Sequence, residues 1–240
     1  MNKHIVSRSL VAGALACGIV AATPLASGAS TTSTTTSSDS GAGFTALKKI
    51  VEVELQFRQA QLAKLTGEVN GSITISPSDR AALQVDLAAE TSGIDALAAK
   101  VPGDTTLAEL KADAKSMVDG YRVFVVMSPK THCTLASDTE TYVAQKIQGL
   151  EPDLQAAINA AAGRGIDVAP AQAAYEALVS EVVAAQSAVS GVSAGCLATT
   201  PSGWPGNGSV FKAARVSLTA GRADLVSARA DITTILEDIK

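Results

Sequence analysis

The chain has 240 residues, three cysteines, two histidines and a formal net charge of −4, and only 3% of its residues are aromatic. A small acidic excess with interspersed charges argues against nucleic acid as a partner. Abundant alanine and few aromatic residues favour helix, and the length suffices for one substantial domain or two small ones.

The first 29 residues have the organisation of a secretory signal peptide. Lys3 and Arg8 precede an apolar run from Leu10 to Ala22, and small residues follow it. This layout predicts export with cleavage near Gly28, and no later segment comes close to the roughly 20 apolar residues of a membrane span. Cleavage removes two basic and no acidic residues, so the formal net charge changes from −4 to −6.

The first 43 residues allow two forms of attachment to the cell envelope. Residues 15–17 also resemble a lipobox, and in that alternative Cys17 becomes a lipidated N-terminus that holds the protein at a membrane. Residues 30–43 are a low-complexity Ser/Thr tract without apolar periodicity, which predicts a flexible tether. We therefore expect a secreted, extracellular or cell-wall-associated protein whose folded domain spans residues 44–240.

Apolar residues recur at intervals of three and four through residues 44–240, which is the spacing of a helical face. Helix-capping and helix-breaking residues separate the periodic stretches: Ser76 precedes Pro77, and residues 106–109 form a capping box. The pattern predicts an all-α fold, an elongated antiparallel bundle with coiled-coil-like hairpins. The predicted helices lie near residues 44–69, 77–100, 105–128, 136–162, 170–194 and 208–239.

Residues 121–133, YRVFVVMSPKTHC, stand out from the surrounding chain by their concentration of aromatic and β-branched residues. Tyr121 and Phe124 continue the apolar spacing of the preceding predicted helix. Apolar residues on all sides of this stretch predict a helical turn that is buried all round. Pro129 is expected to end or kink this helix and to leave residues 130–133 exposed. The functional alternative is a pocket for an apolar small ligand, which would make the protein an exported carrier or sensor. Its lining would be Tyr121, Phe124 and Met127.

Cys133 and Cys196 flank two predicted helices that are joined by a short connection. An antiparallel hairpin of these helices would place both cysteines at its open end, and export favours a disulfide between them. A metal site formed by both thiols and His132 is the alternative, although no CxxC motif is present. We find no catalytic or phosphate-binding motif and therefore expect no enzymatic activity and no cofactor.

The last predicted helix carries the most regular pattern, an a/d seam over four heptads. Its a positions are Phe211, Leu218, Leu225, Ile232 and Ile239. Its d positions are Ala214, Gly221, Ala228 and Ile235. Arg215, Arg222 and Arg229 occupy e positions, either as charges that flank an internal seam or as an interaction face.

Two segments, TTLAELKADAKSMVDGYRVFVVMSPK and WPGN with the following ARVSLTAGRADLVSARADI, resemble a group of exported actinobacterial helical proteins. That group has a mid-chain YRV-apolar-PK block and an arginine-heptad C-terminal helix, and the similarity covers about residues 44–240. The resemblance implies a secreted coiled-coil-like protein, and it brings no catalytic residues because the group has no assigned activity. We expect a structural or interaction protein of the cell envelope, with an unidentified protein or cell-wall partner. Homo-oligomers through helical faces remain an alternative.

Overall fold

The structure is a computed structural model that describes residues 40–240. The predicted signal peptide, the lipidation alternative at Cys17 and most of the predicted tether lie outside the described residues. Within residues 40–240 the chain forms α-helices and short helical turns and no strand, which confirms the all-α class. The helices are α1 (Ser40–Gly71), α2 (Pro77–Lys100), α3 (Leu107–Asp119), α4 (Ser128–Gln148), α5 (Glu151–Gly163), α6 (Ala169–Val189), α7 (Val192–Leu197) and α8 (Gly208–Asp238).

The predicted capping residues form the N-termini of α2 and α3. The Ser76 side chain accepts a hydrogen bond from the Asp79 backbone N–H, and a proline follows it in the first turn of α2. Thr106 and Glu109 make both hydrogen bonds of a capping box before α3. Each cap satisfies backbone donors that have no partner within the helix, so the local sequence fixes both starting points. α1 begins at Ser40 and includes the last four residues of the predicted tether.

The predicted helix 105–128 is wrong in its C-terminal part. α3 ends at Asp119, Arg122 adopts a left-handed backbone with φ of 45°, and a π-helical turn over Val123–Met127 leads directly into α4. Pro129 lies in the first turn of α4, directly after the π-helical turn, so the chain stays helical through the proline. The proline therefore begins a helix, and the change of direction occurs at Arg122.

The predicted helix 136–162 is also wrong, because two helices occupy this range. α4 ends at Gln148, and α5 begins at Glu151 with Pro152 in its first turn. A similar break separates α6 from α7, where Gly191 adopts φ of 73°. Residues other than glycine rarely adopt such a backbone, so this glycine permits the short α7.

Two main clusters of buried apolar side chains form the core. The first joins α1, α2, α3 and the π-helical turn, and the second joins α4, α5, α6 and α8. α6 and α8 run antiparallel, since Gly221 lies against Val189 while Asp231 lies beside Glu181. A Cβ at position 221 would stand 2.9 Å from a Val189 methyl carbon, so the glycine permits the close approach of these helices.

The stretch Ala169–Leu197, which contains α6 and α7, is long and apolar enough to cross a membrane by length and composition, with a mean hydropathy of 1.3. This corrects the expectation that no segment after the N-terminal run is comparable. In the structure Leu178 and Val182 of this stretch are fully buried in the helix bundle.

Candidate functional site

A groove runs between α4 and α8. It consists of two adjoining depressions of about 600 and 460 Å³ that share Arg222. We call it the α4–α8 groove. α4 contributes Pro129, His132, Cys133, Leu135, Ala136, Thr139, Glu140 and Val143. α8 contributes Phe211, Ala214, Arg215, Leu218, Thr219, Arg222, Leu225, Val226 and Arg229.

The two rows of the α8 seam are buried to different extents. All four d residues are buried, mainly against α6. In the a row only Leu225 is buried, whereas Phe211, Leu218, Ile232 and Ile239 are half-buried. The apolar stripe of α8 is therefore wider than its neighbours cover, and the first two half-buried residues form the apolar floor of the groove.

The predicted arginine row borders this floor. Arg222 donates a hydrogen bond from Nη2 to Glu140 Oε1 at 3.2 Å, although its side chain remains 70% exposed. Within residues 40–240, Arg215 and Arg229 form no ion pair. The structure thus brings all three predicted arginines to one groove, with one of them anchored to α4.

Glu140 is the only acidic residue among those that line the groove. It is 5% exposed, and its Oε2 is buried without a hydrogen-bond partner among the described residues. Burial raises the pKa of its carboxyl group, and the charge and hydrogen bond of Arg222 oppose that rise. The contact with Glu140 fixes Arg222 at the middle of the groove, whereas Arg215 and Arg229 form no ion pair within residues 40–240.

The cysteine prediction agrees with the structure. The Cys133 and Cys196 sulfur atoms are at bonding distance, with Cα atoms 6.3 Å apart, and they join α4 to α7. Residues 130–133 are not exposed as expected, because Lys130, Thr131 and Cys133 are buried in α4. His132 alone faces solvent, at the rim of the groove. Its Nε2 lies 3.0 Å from an oxygen of the Glu68 carboxylate.

The alternative metal site of Cys133, Cys196 and His132 is not formed among the described residues. No group of three His, Cys, Asp or Glu side chains is arranged to hold a metal ion within residues 40–240. Both thiols of the alternative site lie in the disulfide instead.

The three residues of the predicted ligand pocket have different surroundings. Met127 is 1% exposed in the first core cluster, whereas Phe124 is 44% exposed. The guanidinium carbon of Arg58 lies 5.3 Å from the centre of the Phe124 ring, which is a cation–π contact. The Tyr121 ring packs on Gly93 so closely that a Cβ there would not fit. The turn is buried on one side only, and a ligand at this place stays a prediction.

A charged cluster was missed in the sequence, in which Lys130 is buried whereas the Asp86 side chain is 39% exposed. Lys130 Nζ lies 2.5 Å from Asp86 Oδ2 and donates to the Thr199 carbonyl at 3.0 Å, although the lysine is only 4% exposed. Burial raises the pKa of Glu90 to about 7, with the Asp86 charge adding to the rise and Lys130 opposing it. The sequence feature that could have predicted this cluster is Glu90, because it interrupts the apolar spacing from Leu83 to Val101.

The fold and the groove define an all-α protein with a cationic, partly apolar surface between two helices. No protein family, curated protein or solved structure significantly matches the chain.

Proposed function

We propose that the protein is an exported, envelope-associated interaction protein that binds a macromolecular partner through the α4–α8 groove and has no catalytic role. The observation that carries this proposal is the arginine row beside the half-buried a row of α8. An apolar floor with charges at its edge provides both the area and the orientation that specific binding requires. The N-terminal sequence supports export, and the Ser/Thr tract supports a tethered position in the envelope.

The disulfide supports the export part of this proposal, and the Glu140–Arg222 contact supports the binding part. The disulfide links α4 to α7, which suits an oxidising compartment outside the cytoplasm. Glu140 and Arg222 connect the two walls of the groove and keep it in a defined shape. Elongated, coiled-coil-like helices that present a long face would suit an envelope structural protein as well.

Site-specific photo-crosslinking in the producing cells tests the proposal. Val226 lines the groove and is 66% exposed, so a photoreactive amino acid at this position should form an adduct with a partner that mass spectrometry can identify. Ser227 provides the matched control, because it is exposed but lies roughly 100° further round the same helix. Absence of an adduct at position 226, or the same adducts at both positions, would contradict the proposal.

A further inference from the structure

We propose that the occupant of the α4–α8 groove is an acidic amphipathic helix of a partner protein, with Asp or Glu residues one heptad apart beside an apolar stripe. This inference rests on the proposed function and specifies its partner. It follows from the spacing of the arginines, the apolar floor between them and α4, and the charge of the lining residues.

The spacing of the cations matches the repeat of a helix. Arg215, Arg222 and Arg229 are one heptad apart on α8, so their backbone positions repeat about every 10 Å along the helix axis. A helix that lies along the groove presents side chains of the same row at the same interval. A partner helix of about 18 residues is long enough to reach all three arginines, at 1.5 Å per residue.

The floor of the groove explains why the helix must be amphipathic. Phe211 and Leu218 are half-buried there, and Val226 and Val143 expose their side chains at its edges. Apolar residues at intervals of three and four on the partner would cover this surface, as in a helix that binds a hydrophobic groove. Burial of these side chains would supply the affinity, while the arginines would set orientation and register.

The charge of the lining favours an acidic partner over a basic one. The protein is acidic overall, yet the only carboxylate that lines the groove is Glu140, which is buried and paired with Arg222. Arg215 and Arg229 have no acidic partner within residues 40–240. An incoming acidic helix therefore supplies the missing opposite charges along the row.

Two other occupants fit the groove less well. A fatty acid has one anionic headgroup and would leave most of the arginine row unpaired. A second copy of α8 carries aspartates one heptad apart, but those residues lie on the flank that faces α6. Asp231 is beside Glu181 there, with a buried Oδ2 atom.

The experiment measures binding of synthetic helical peptides to the full chain by fluorescence anisotropy. The acidic peptide has about three heptads with Leu at a and d and Glu at one flanking position of each heptad. A second peptide has the same composition but places its Glu residues on the opposite face, and a third replaces Glu with Lys. We expect tight binding of the acidic peptide alone, with an affinity that falls as the salt concentration rises.

Protein variants assign the binding to the arginine row. The double variant Arg215→Glu and Arg229→Glu should weaken binding of the acidic peptide at least tenfold and should gain affinity for the Lys peptide. Arg222 stays unchanged because it holds Glu140. The control Lys49→Glu and Lys111→Glu makes the same change in net charge at exposed positions outside the groove and should leave both affinities unchanged. Circular dichroism confirms that each variant is folded.

The outcomes separate this inference from the function on which it depends. Equal binding of the two Glu peptides, or unchanged binding by the arginine double variant, would overturn the acidic-helix proposal. If a protein still crosslinks at Val226 in that case, the interaction function stands with a different partner class. Arginine-dependent binding of the fatty acid decanoate, together with no peptide binding, would identify an anionic amphiphile and would overturn this inference.

Discussion

The raised pKa of Glu90 predicts that the fold is more stable in mildly acidic solution than at alkaline pH. The carboxyl group has an ordinary pKa of 4.5, and burial raises it to about 7 in the folded chain. The folded state therefore binds this proton more tightly than the unfolded state does. The stabilisation is fully present below 4.5 and is lost as the pH rises through about 7.

The size of the effect follows from the difference between these two pKa values. At about 1.4 kcal/mol per pH unit, the rise corresponds to an upper limit of about 3 kcal/mol in the free energy of unfolding. Glu90 keeps part of its surface in water, so solvent screening reduces the expected contribution to roughly 1–2 kcal/mol. Nearby Lys130 and Asp86 act in opposite directions on the same group and are already included in the raised pKa.

The assay compares urea unfolding of the wild type and Glu90→Gln at about pH 5 and about pH 8, followed by circular dichroism. The wild type should lose roughly 1–2 kcal/mol more than the variant between these conditions, because glutamine has no proton to release. Glu237→Gln is the control, since it removes the same charge at an exposed position of α8. Glu181, whose pKa is also raised to about 7, contributes to both proteins and cancels in the comparison. If Glu90→Gln loses as much stability as the wild type, the reasoning is refuted.

The remaining predictions concern contacts between helices and use the same urea assay. Replacing Cys133 and Cys196 with alanine should lower the free energy of unfolding by about 4 kcal/mol, because the disulfide closes a loop with a sequence separation of 63 residues. Equal unfolding midpoints of the wild type with and without reductant would contradict this prediction. Gly221→Leu should lower the free energy of unfolding by about 1–3 kcal/mol, because the larger side chain overpacks against α6. Gly67 has open space around it, so the control Gly67→Leu should not destabilise the fold, and equal effects of the two variants would contradict this prediction. Lys130→Ala should lower the free energy of unfolding by roughly 1–3 kcal/mol, because it removes a buried cation from the partly exposed carboxylates of Asp86 and Glu90. The loss should be smaller at about pH 5, where Glu90 is protonated, and a loss that is independent of pH would contradict this cause.

Helical periodicity predicts the class and much of the core because burial follows the spacing of apolar residues. In α2 the predicted face at Leu83, Leu87, Ile94 and Leu97 is the buried face. The start of α3 agrees with its capping box for a related reason, since a cap depends on only four neighbouring residues. Local chemistry is sufficient in both cases, so the sequence alone predicts them.

The breaks between helices depend on more than local pattern. Apolar spacing continues from Ile147 to Leu154 across the break before α5, because the second helix resumes with its apolar face towards the same core. The left-handed backbone of Arg122 is a single-residue conformation without a sequence signature. Arg122 Nη2 donates a hydrogen bond to Asp119 Oδ1. Pro129 was compatible with either the end or the beginning of a helix, and only the surrounding structure distinguishes them.

The groove follows from the difference in size between the a and d residues of α8, which an a/d pattern of apolar positions does not describe. Three of its four d residues are alanine or glycine, so the d row lies close to α6, while the larger a residues lie on the other side. With roughly 100° per residue, an e position is adjacent to a, and a g position is adjacent to d. The e arginines must then accompany the half-buried a row into the groove, and the g aspartates must face α6. Residue size therefore selects which flank of the helix is free to bind, and this arrangement makes the exposed flank cationic.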